Sequence, residues 1–217
     1  MTRRKRGMAM KNRKNEIERR NFPVEELRAI TDEEGLRHIS GYAAVFNSLS
    51  EDLGYFREKI DPGAFSETIN ADDVRALKNH NSDYVLGRNK SGTLTLSEDQ
   101  RGLKIDIQPP DAQWARDLMV SIDRGDIDQM SFGFQTVADR WEIVDEKEVR
   151  TLMKVRLFDV SPVTFPAYPD TEVGLRSLEE YRKTQEEENE GNKADKDLIG
   201  LSIRRKRLKI KEREMED

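Results

Sequence analysis

The 217-residue sequence contains no cysteine and only two histidines, His38 and His80. Without cysteine there can be no disulfide bond, no thiol nucleophile and no zinc site with cysteine ligands. Two histidines, with no cluster of other ligands at metal-binding spacing, also argue against a metal-dependent hydrolase. Any mechanism that uses a histidine must therefore use one of these two.

Long apolar runs are missing as well, and none approaches the length that would span a bilayer. The N-terminal twenty residues are basic but lack the apolar stretch of a secretory signal. A soluble, intracellular protein is therefore expected. The net charge of −5 argues against nucleic-acid binding as the main role.

The two ends of the chain differ from its middle in composition. Residues 1–20 carry nine Lys or Arg and two Glu, a net charge of +7, which predicts a disordered basic arm over 1–21 or a tether to an acidic surface. Residues 177–217 are predicted to be a charged, removable tail, with a linker or exposed helix at 179–197. The folded domain is expected over 22–176.

Within that domain the hydrophobic pattern mostly indicates strands. Residues 93–97 and 103–108 alternate strictly and are separated by turn residues, which predicts a hairpin. Further strands are predicted at 36–46, 130–144 and 150–165. Many strands in hairpin-like order predict an α+β fold, with a mostly antiparallel sheet or barrel and helices packed outside.

Two helices are predicted. Residues 111–126 place Trp114, Ala115, Leu118, Met119 and Ile122 on one face, with Asp111 as N-cap and Gly125 at the C-terminal end. A shorter helix is expected after Pro62.

Three side chains have the chemistry of a catalytic serine, its base and an orienting acid. Ser131 alternates with Met130, Phe132 and Phe134, so it lies on the opposite face of its strand. His80 ends a strand-like run beside a polar segment, where a general base is often held. The strand period places Asp159 on a buried side, where a carboxylate needs a partner such as an imidazole N–H or an arginine. The residues alone leave this triad as one possibility among others, and His38 reads as an ordinary, partly exposed strand residue.

Six segments in order resemble the prohead maturation protease family of tailed bacteriophages. They are "GYAAVFN" (41–47), "FREKIDPGAF" (56–65), "VRALKNHNSDYVLGR" (74–88), "RGLKIDI" (101–107), "MSFGF" (130–134) and "LFDVSPVTFPAYP" (157–169). The resemblance implies an assemblin-like β-barrel with helices around it, and serine endopeptidase activity inside the assembling prohead in the host cytoplasm. It implies His80 as base, Ser131 as nucleophile and Asp159 as third residue, with His38 as the alternative because assemblins use a second histidine.

The resemblance also implies the substrates, which would be the capsid protein or its scaffold segment and the chain itself. No metal or cofactor and no membrane partner are expected. Gly133 is expected to leave room for a peptide backbone beside Ser131. One competing interpretation is an inactive protease-fold assembly protein. The other is a capsid accessory protein that binds nucleic acid through residues 3–20, and its binding would depend strongly on salt concentration.

Overall fold

The computed structural model of the chain describes residues 17–23, 26–53, 55–165 and 174–186. The described residues form ten strands: β1 Glu18–Pro23, β2 Arg28–Thr31, β3 Arg37–Val45, β4 Phe56–Ile60, β5 Arg75–Lys78, β6 Asn81–Arg88, β7 Leu94–Glu98, β8 Gly102–Ile107, β9 Gln129–Val144 and β10 Lys147–Val163. Helix α1 spans Gln113–Asp123, and helix α2 spans 174–186. A second compact unit begins at Gly174, and α2 is its described part.

The strands form two sheets. One has the order β1-β9-β10-β5-β6, with β4 also paired to β10, and the other has the order β2-β3-β8-β7. Only β4 and β5 run parallel to a neighbour, in both cases β10. The predicted α+β class and the mainly antiparallel pairing are confirmed, including the β7–β8 hairpin. The described strands do not close into the barrel that was expected.

The core lies between apolar faces of both sheets and α1. Its fully buried members include Phe132 and Phe134 of β9, Ile105 of β8 and Leu118 of α1. Met130, Phe132 and Phe134 of β9 all belong to this core, which confirms the predicted apolar face of the strand, while Ser131 on the opposite face is buried as well. Among the described residues, no helix is long and apolar enough to cross a membrane.

Helix α1 has the predicted buried face, but its first turn differs from the prediction. Ala112, not Asp111, is the N-cap, and no side chain caps the helix there. The carboxylate of Asp111 instead accepts a hydrogen bond from the Arg116 guanidinium, at 2.5 Å. Gly125 follows the helix with a φ of 77°, the left-handed conformation that favours glycine at this position.

The short helix predicted after Pro62 is wrong. Residues 62–71 form successive turns, in which the N–H of Ala64 bonds to Asp61 and that of Thr68 to Phe65. Ala64 and Phe65 of this segment are both buried. The amide of Phe65 also donates to the Glu98 carboxylate, at 2.9 Å.

The end of the predicted disordered arm is a strand. Glu18–Pro23 pairs antiparallel with β9, so residues 18–21 belong to the six-stranded sheet. Residues 1–16 lie outside the described residues, as do 187–217 of the predicted tail. The prediction failed at 18–21 because strand pairing and buried charge outweigh the polar composition on which it rested.

Buried charges anchor β1. The guanidinium of Arg20 donates to Glu18 and Glu58 at 2.8 and 2.9 Å, and that of Arg150 donates to Glu18 and Glu58 at 2.7 and 3.1 Å. Arg150 also donates to Asp139 at 2.7 Å. The side chains of Glu18, Arg20, Glu58 and Arg150 are at most 2% exposed. Burial alone would raise the pKa of Glu18, but Arg150 and Arg20 outweigh it and hold that pKa below its ordinary value.

We predict that Arg150→Met lowers the free energy of unfolding by about 3–5 kcal/mol, because Glu18 and Glu58 stay buried with one cation fewer. Urea unfolding followed by circular dichroism measures the change. The matched control is Arg140→Met on the neighbouring strand β9, where the residue is exposed and a change within about 0.5 kcal/mol is expected. Equal effects of the two variants would contradict a structural role for the charge cluster.

His38 lies in β3 of the four-stranded sheet and is partly exposed, as predicted. Its Nδ1 lies 2.9 Å from Asp106 and its Nε2 lies 3.3 Å from Asp32. The hydrogen bond with Asp106 is the main reason that the pKa of His38 is raised.

A raised pKa means that His38 stabilises the fold as a cation. We expect the stability difference between wild type and His38→Gln to be largest below about pH 6.5, the ordinary histidine pKa, and to disappear as the pH rises through the higher pKa of the folded state. The difference stays below about 1 kcal/mol because the pair is open to solvent. Urea unfolding across this range measures it, and a difference that grows with pH would refute the assignment.

Candidate active site

Asp159, His80 and Ser131 form a continuous series of hydrogen bonds. His80 Nδ1 lies 2.5 Å from Asp159 Oδ1, and His80 Nε2 lies 2.6 Å from Ser131 Oγ. Because the carboxylate can only accept, Nδ1 carries the proton in the first contact. The structure thus brings together the three side chains that the sequence suggested.

His80 occupies a two-residue turn between β5 and β6. Lys78 pairs with Asn81, and both Asn79 and His80 have positive φ, 53° and 57°, as a type I′ hairpin turn requires. The polar residues after His80 had suggested a loop. That interpretation is wrong, because these residues form strand β6. The turn was not predicted because a type I′ turn usually contains glycine, whereas here His80 adopts the positive φ.

The end of β10 fixes this turn. The Asn79 amide donates to the Pro162 carbonyl at 3.0 Å, and the Thr164 amide donates to Asn79 Oδ1 at 2.8 Å. Parallel pairing of Arg75 with Asp159 brings β5 alongside the same part of β10. These contacts hold the imidazole of His80 against the Asp159 carboxylate.

A β-bulge sets the direction of Asp159. Leu157 pairs with Phe134 and Asp159 with Gly133, with a register shift between them. Residues directly opposite on antiparallel strands share a face, so Leu157 lies on the face of Phe134, and Asp159 lies with Gly133 and Ser131. The predicted burial of Asp159 is confirmed, but the strand period did not predict the bulge that places Asp159 on the face of Ser131.

Gly133 makes room for the acid. A Cβ at this position would collide with the Asp159 carboxylate, so glycine is the residue that lets the carboxylate lie beside β9. The sequence had suggested that Gly133 leaves space for a peptide backbone, and this is wrong because Asp159 fills that space. β9 therefore has no side chain at Gly133, and the Asp159 carboxylate occupies the space.

Ser161 is a fourth member of the cluster that was not predicted. Its hydroxyl donates to Asp159 Oδ1 at 2.7 Å and accepts the His80 backbone N–H at 3.3 Å. It thereby connects the carboxylate to the turn that carries the imidazole. Ser161 lies two residues after Asp159 and directly opposite Ser131. Its place in the cluster could have been predicted by pairing β9 with β10 in the sequence.

The site is closed to solvent. Ser131 and Ser161 are fully buried and Asp159 is 8% exposed, and the His80 side chain is 8% exposed. Ser131 Oγ also lies 3.1 Å from the Arg20 carbonyl oxygen of β1. His38, the alternative third residue, is not in this cluster and contacts Asp32 and Asp106 instead. Among the described residues, no group of three or more histidine and acidic side chains could hold a metal ion.

Known proteins resemble this chain in sequence. The chain matches the family described as caudovirus prohead serine protease over residues 25–184, more than half of its length. It is 31% identical over 133 residues to the "Prohead protease" of Enterobacteria phage HK97, which covers 58% of this chain and 54% of that protein. The chain thus spans about half the length of this curated relative.

A solved structure of the bacteriophage T4 capsid assembly protease is also similar. It is 8% identical, with 68% of this chain and 96% of that chain covered at a TM-score of 0.43, too loose a match to add to the assignment. The match over residues 25–184 shows that this chain belongs to the caudovirus prohead serine protease family.

Proposed function

We propose that the chain is a serine endopeptidase that matures the phage prohead, with Ser131 as nucleophile, His80 as general base and Asp159 as the orienting acid. The observation that carries this proposal is the series of hydrogen bonds from Asp159 through His80 to Ser131, at 2.5 and 2.6 Å. These are the distances at which a nucleophile, its base and the orienting group act as one unit.

The reaction would proceed in two halves. Ser131 Oγ attacks the scissile carbonyl carbon while His80 Nε2 takes the hydroxyl proton, and His80 then gives that proton to the leaving amine. The acyl-enzyme that remains is hydrolysed by a water activated by His80 in the same way. Asp159 stabilises the imidazolium formed in each half, and Ser161 holds the carboxylate oxygen that faces Nδ1.

The proposed substrates are the capsid protein or its scaffold segment, together with the chain's own C-terminal tail. The family and the phage HK97 relative are both described as prohead proteases, which supports a substrate met inside the assembling prohead. The tail after residue 176 supports self-processing by its composition, since it is rich in charged residues, which are typical of segments that proteases cut.

We predict that Ser131→Ala lowers kcat by about six orders of magnitude, as loss of the nucleophile does in other serine proteases, while the fold is retained. The measurement is co-expression with the cognate capsid protein and scaffold, followed by intact mass spectrometry of all chains. Ser40→Ala, a half-buried serine of β3, is the matched control and is expected to cleave like wild type.

The same spectra test self-processing. A shortened chain in wild type and Ser40→Ala, but not in Ser131→Ala, is the expected result. Shortening in all three would assign the cut to a host protease. A folded wild type that cuts neither capsid nor scaffold would favour the inactive assembly protein instead.

The third catalytic residue is tested by a pair of variants. Asp159→Asn is expected to lower kcat by about 10⁴, because the amide favours the wrong His80 tautomer. His38→Gln is expected to cleave at the wild-type rate, because His38 lies in the other sheet, where its imidazole contacts Asp32 and Asp106. Single-turnover rates on a capsid-derived peptide measure both variants, and inactivation by His38→Gln alone would reverse the assignment.

A further inference from the structure

Strand β1 lies on the outer edge of the strand that carries Ser131. It pairs antiparallel with β9, and Asn21 is directly opposite Ser131. An extended peptide that adds to a sheet edge takes the same geometry, with main-chain hydrogen bonds to the strand it joins. Part of the chain itself therefore occupies the edge beside the nucleophile.

The contact with β1 also competes for the proton of Ser131. The hydroxyl has one hydrogen, while two acceptors lie within reach: His80 Nε2 at 2.6 Å and the Arg20 carbonyl oxygen at 3.1 Å. A hydroxyl that donates to Arg20 is turned away from its base. The Arg20 carbonyl oxygen then lies against Ser131 Oγ, where a substrate would have to place its carbonyl carbon.

No substrate carbonyl can approach Ser131 while β1 is in place. Reaction requires the carbonyl carbon within about 3–3.5 Å of Oγ, but Ser131 is fully buried. A methyl group of Ile17, the residue before β1, lies 3.7 Å from where a Cβ of Gly133 would be. Ile17 and β1 together thus close the side of the site that faces the edge of β9.

Ion pairs hold β1 by its alternate side chains. Glu18 and Arg20 contact Arg150 and Glu58 in the buried cluster. Buried ion pairs contribute little net stability, since desolvation offsets most of their attraction. The family match begins at residue 25, so β1 lies outside the matched residues.

We propose that β1 is a built-in substrate mimic: it occupies the edge of β9 at 129–134 on which an extended peptide substrate pairs, and Ser131 becomes available only when β1 leaves. This inference rests on the proposed function, since it takes Ser131 as the nucleophile. It also identifies the substrate as an extended segment, and Glu58 as the carboxylate that would meet a basic side chain in the place of Arg20.

The test cuts the chain between β1 and β2. The recognition sequence of a site-specific protease is inserted between residues 24 and 25 of the full chain, and the chain is cut or left uncut. A fluorophosphonate then reports Ser131 directly: Oγ forms a bond to phosphorus, fluoride leaves, and His80 takes the proton. The control is the same insertion with its scissile position blocked, and Ser131→Ala in the cut chain corrects for labelling elsewhere.

We expect native mass spectrometry to show release of the N-terminal segment, and labelling of the cut chain to be at least about tenfold faster, as expected if β1 is seated in nine molecules of ten or more. A synthetic peptide of residues 14–24 restores slow labelling, and the same peptide with Arg20→Ala does so more weakly because it lacks the contact with Glu58. If the segment stays bound after cutting, Arg20→Glu in the cuttable chain places a third carboxylate beside Glu18 and Glu58 and expels it.

Two results would overturn the inference: equally fast labelling of cut and uncut chains, or release of the segment with no gain in labelling. The proposed function fails separately. Faster labelling after cutting, without cleavage of capsid protein or scaffold, would leave the substrate mimic standing and refute the protease. Equal cleavage by cut and uncut chains would leave the protease standing and refute the mimic.

Discussion

The hydrogen bond between the Asp159 carboxylate and the His80 imidazole is the contact on which the rest of the site depends. It is 2.5 Å long and joins β10 to the turn at the end of β5, a strand that runs parallel to β10, so alternation along a single strand could not create it. The bulge before Asp159 turns the carboxylate onto the face of Ser131, and the left-handed turn at His80 aims the imidazole at it. A left-handed histidine and a buried carboxylate are each unfavourable alone, and the bond between them offsets both costs.

Much of this arrangement could be predicted from the sequence because it follows from local pattern. The inward Met130, Phe132 and Phe134 required Ser131 on the opposite face, and the apolar stripe of α1 required a buried helix. Bulges and turns were not predictable in the same way. A register shift reverses the faces of a strand beyond it, so the alternation that correctly predicted a buried Asp159 could not show that its carboxylate lies on the face of Ser131.

The identity of the first strand was hidden for a different reason. In the sequence, Glu18 and Arg20 are typical of the solvated charges of a basic arm. In the structure they are buried, because they pair with Arg150 on β10 and Glu58 on β4. Composition reports how polar a segment is, not whether opposite charges elsewhere will pair with it. Only the assembled sheet shows that the charges of residues 18–20 complement a site formed by strands far away in sequence.

The same complementarity bears on how the proposed substrate mimic would leave the closed site. A strand held by an apolar face would expose that face to water on leaving, at a cost of about 25 cal/mol for each Å². A strand held by Glu18 and Arg20 regains hydration for both charges when it leaves, and Arg150 keeps Glu58 and Asp139 as partners. When β1 leaves, the cluster loses one cation, Arg20, and one anion, Glu18. The net charge of the cluster therefore does not change. Because ion pairs hold Glu18 and Arg20 of the proposed substrate mimic, a substrate segment of similar charge pattern would replace their contacts as β1 leaves.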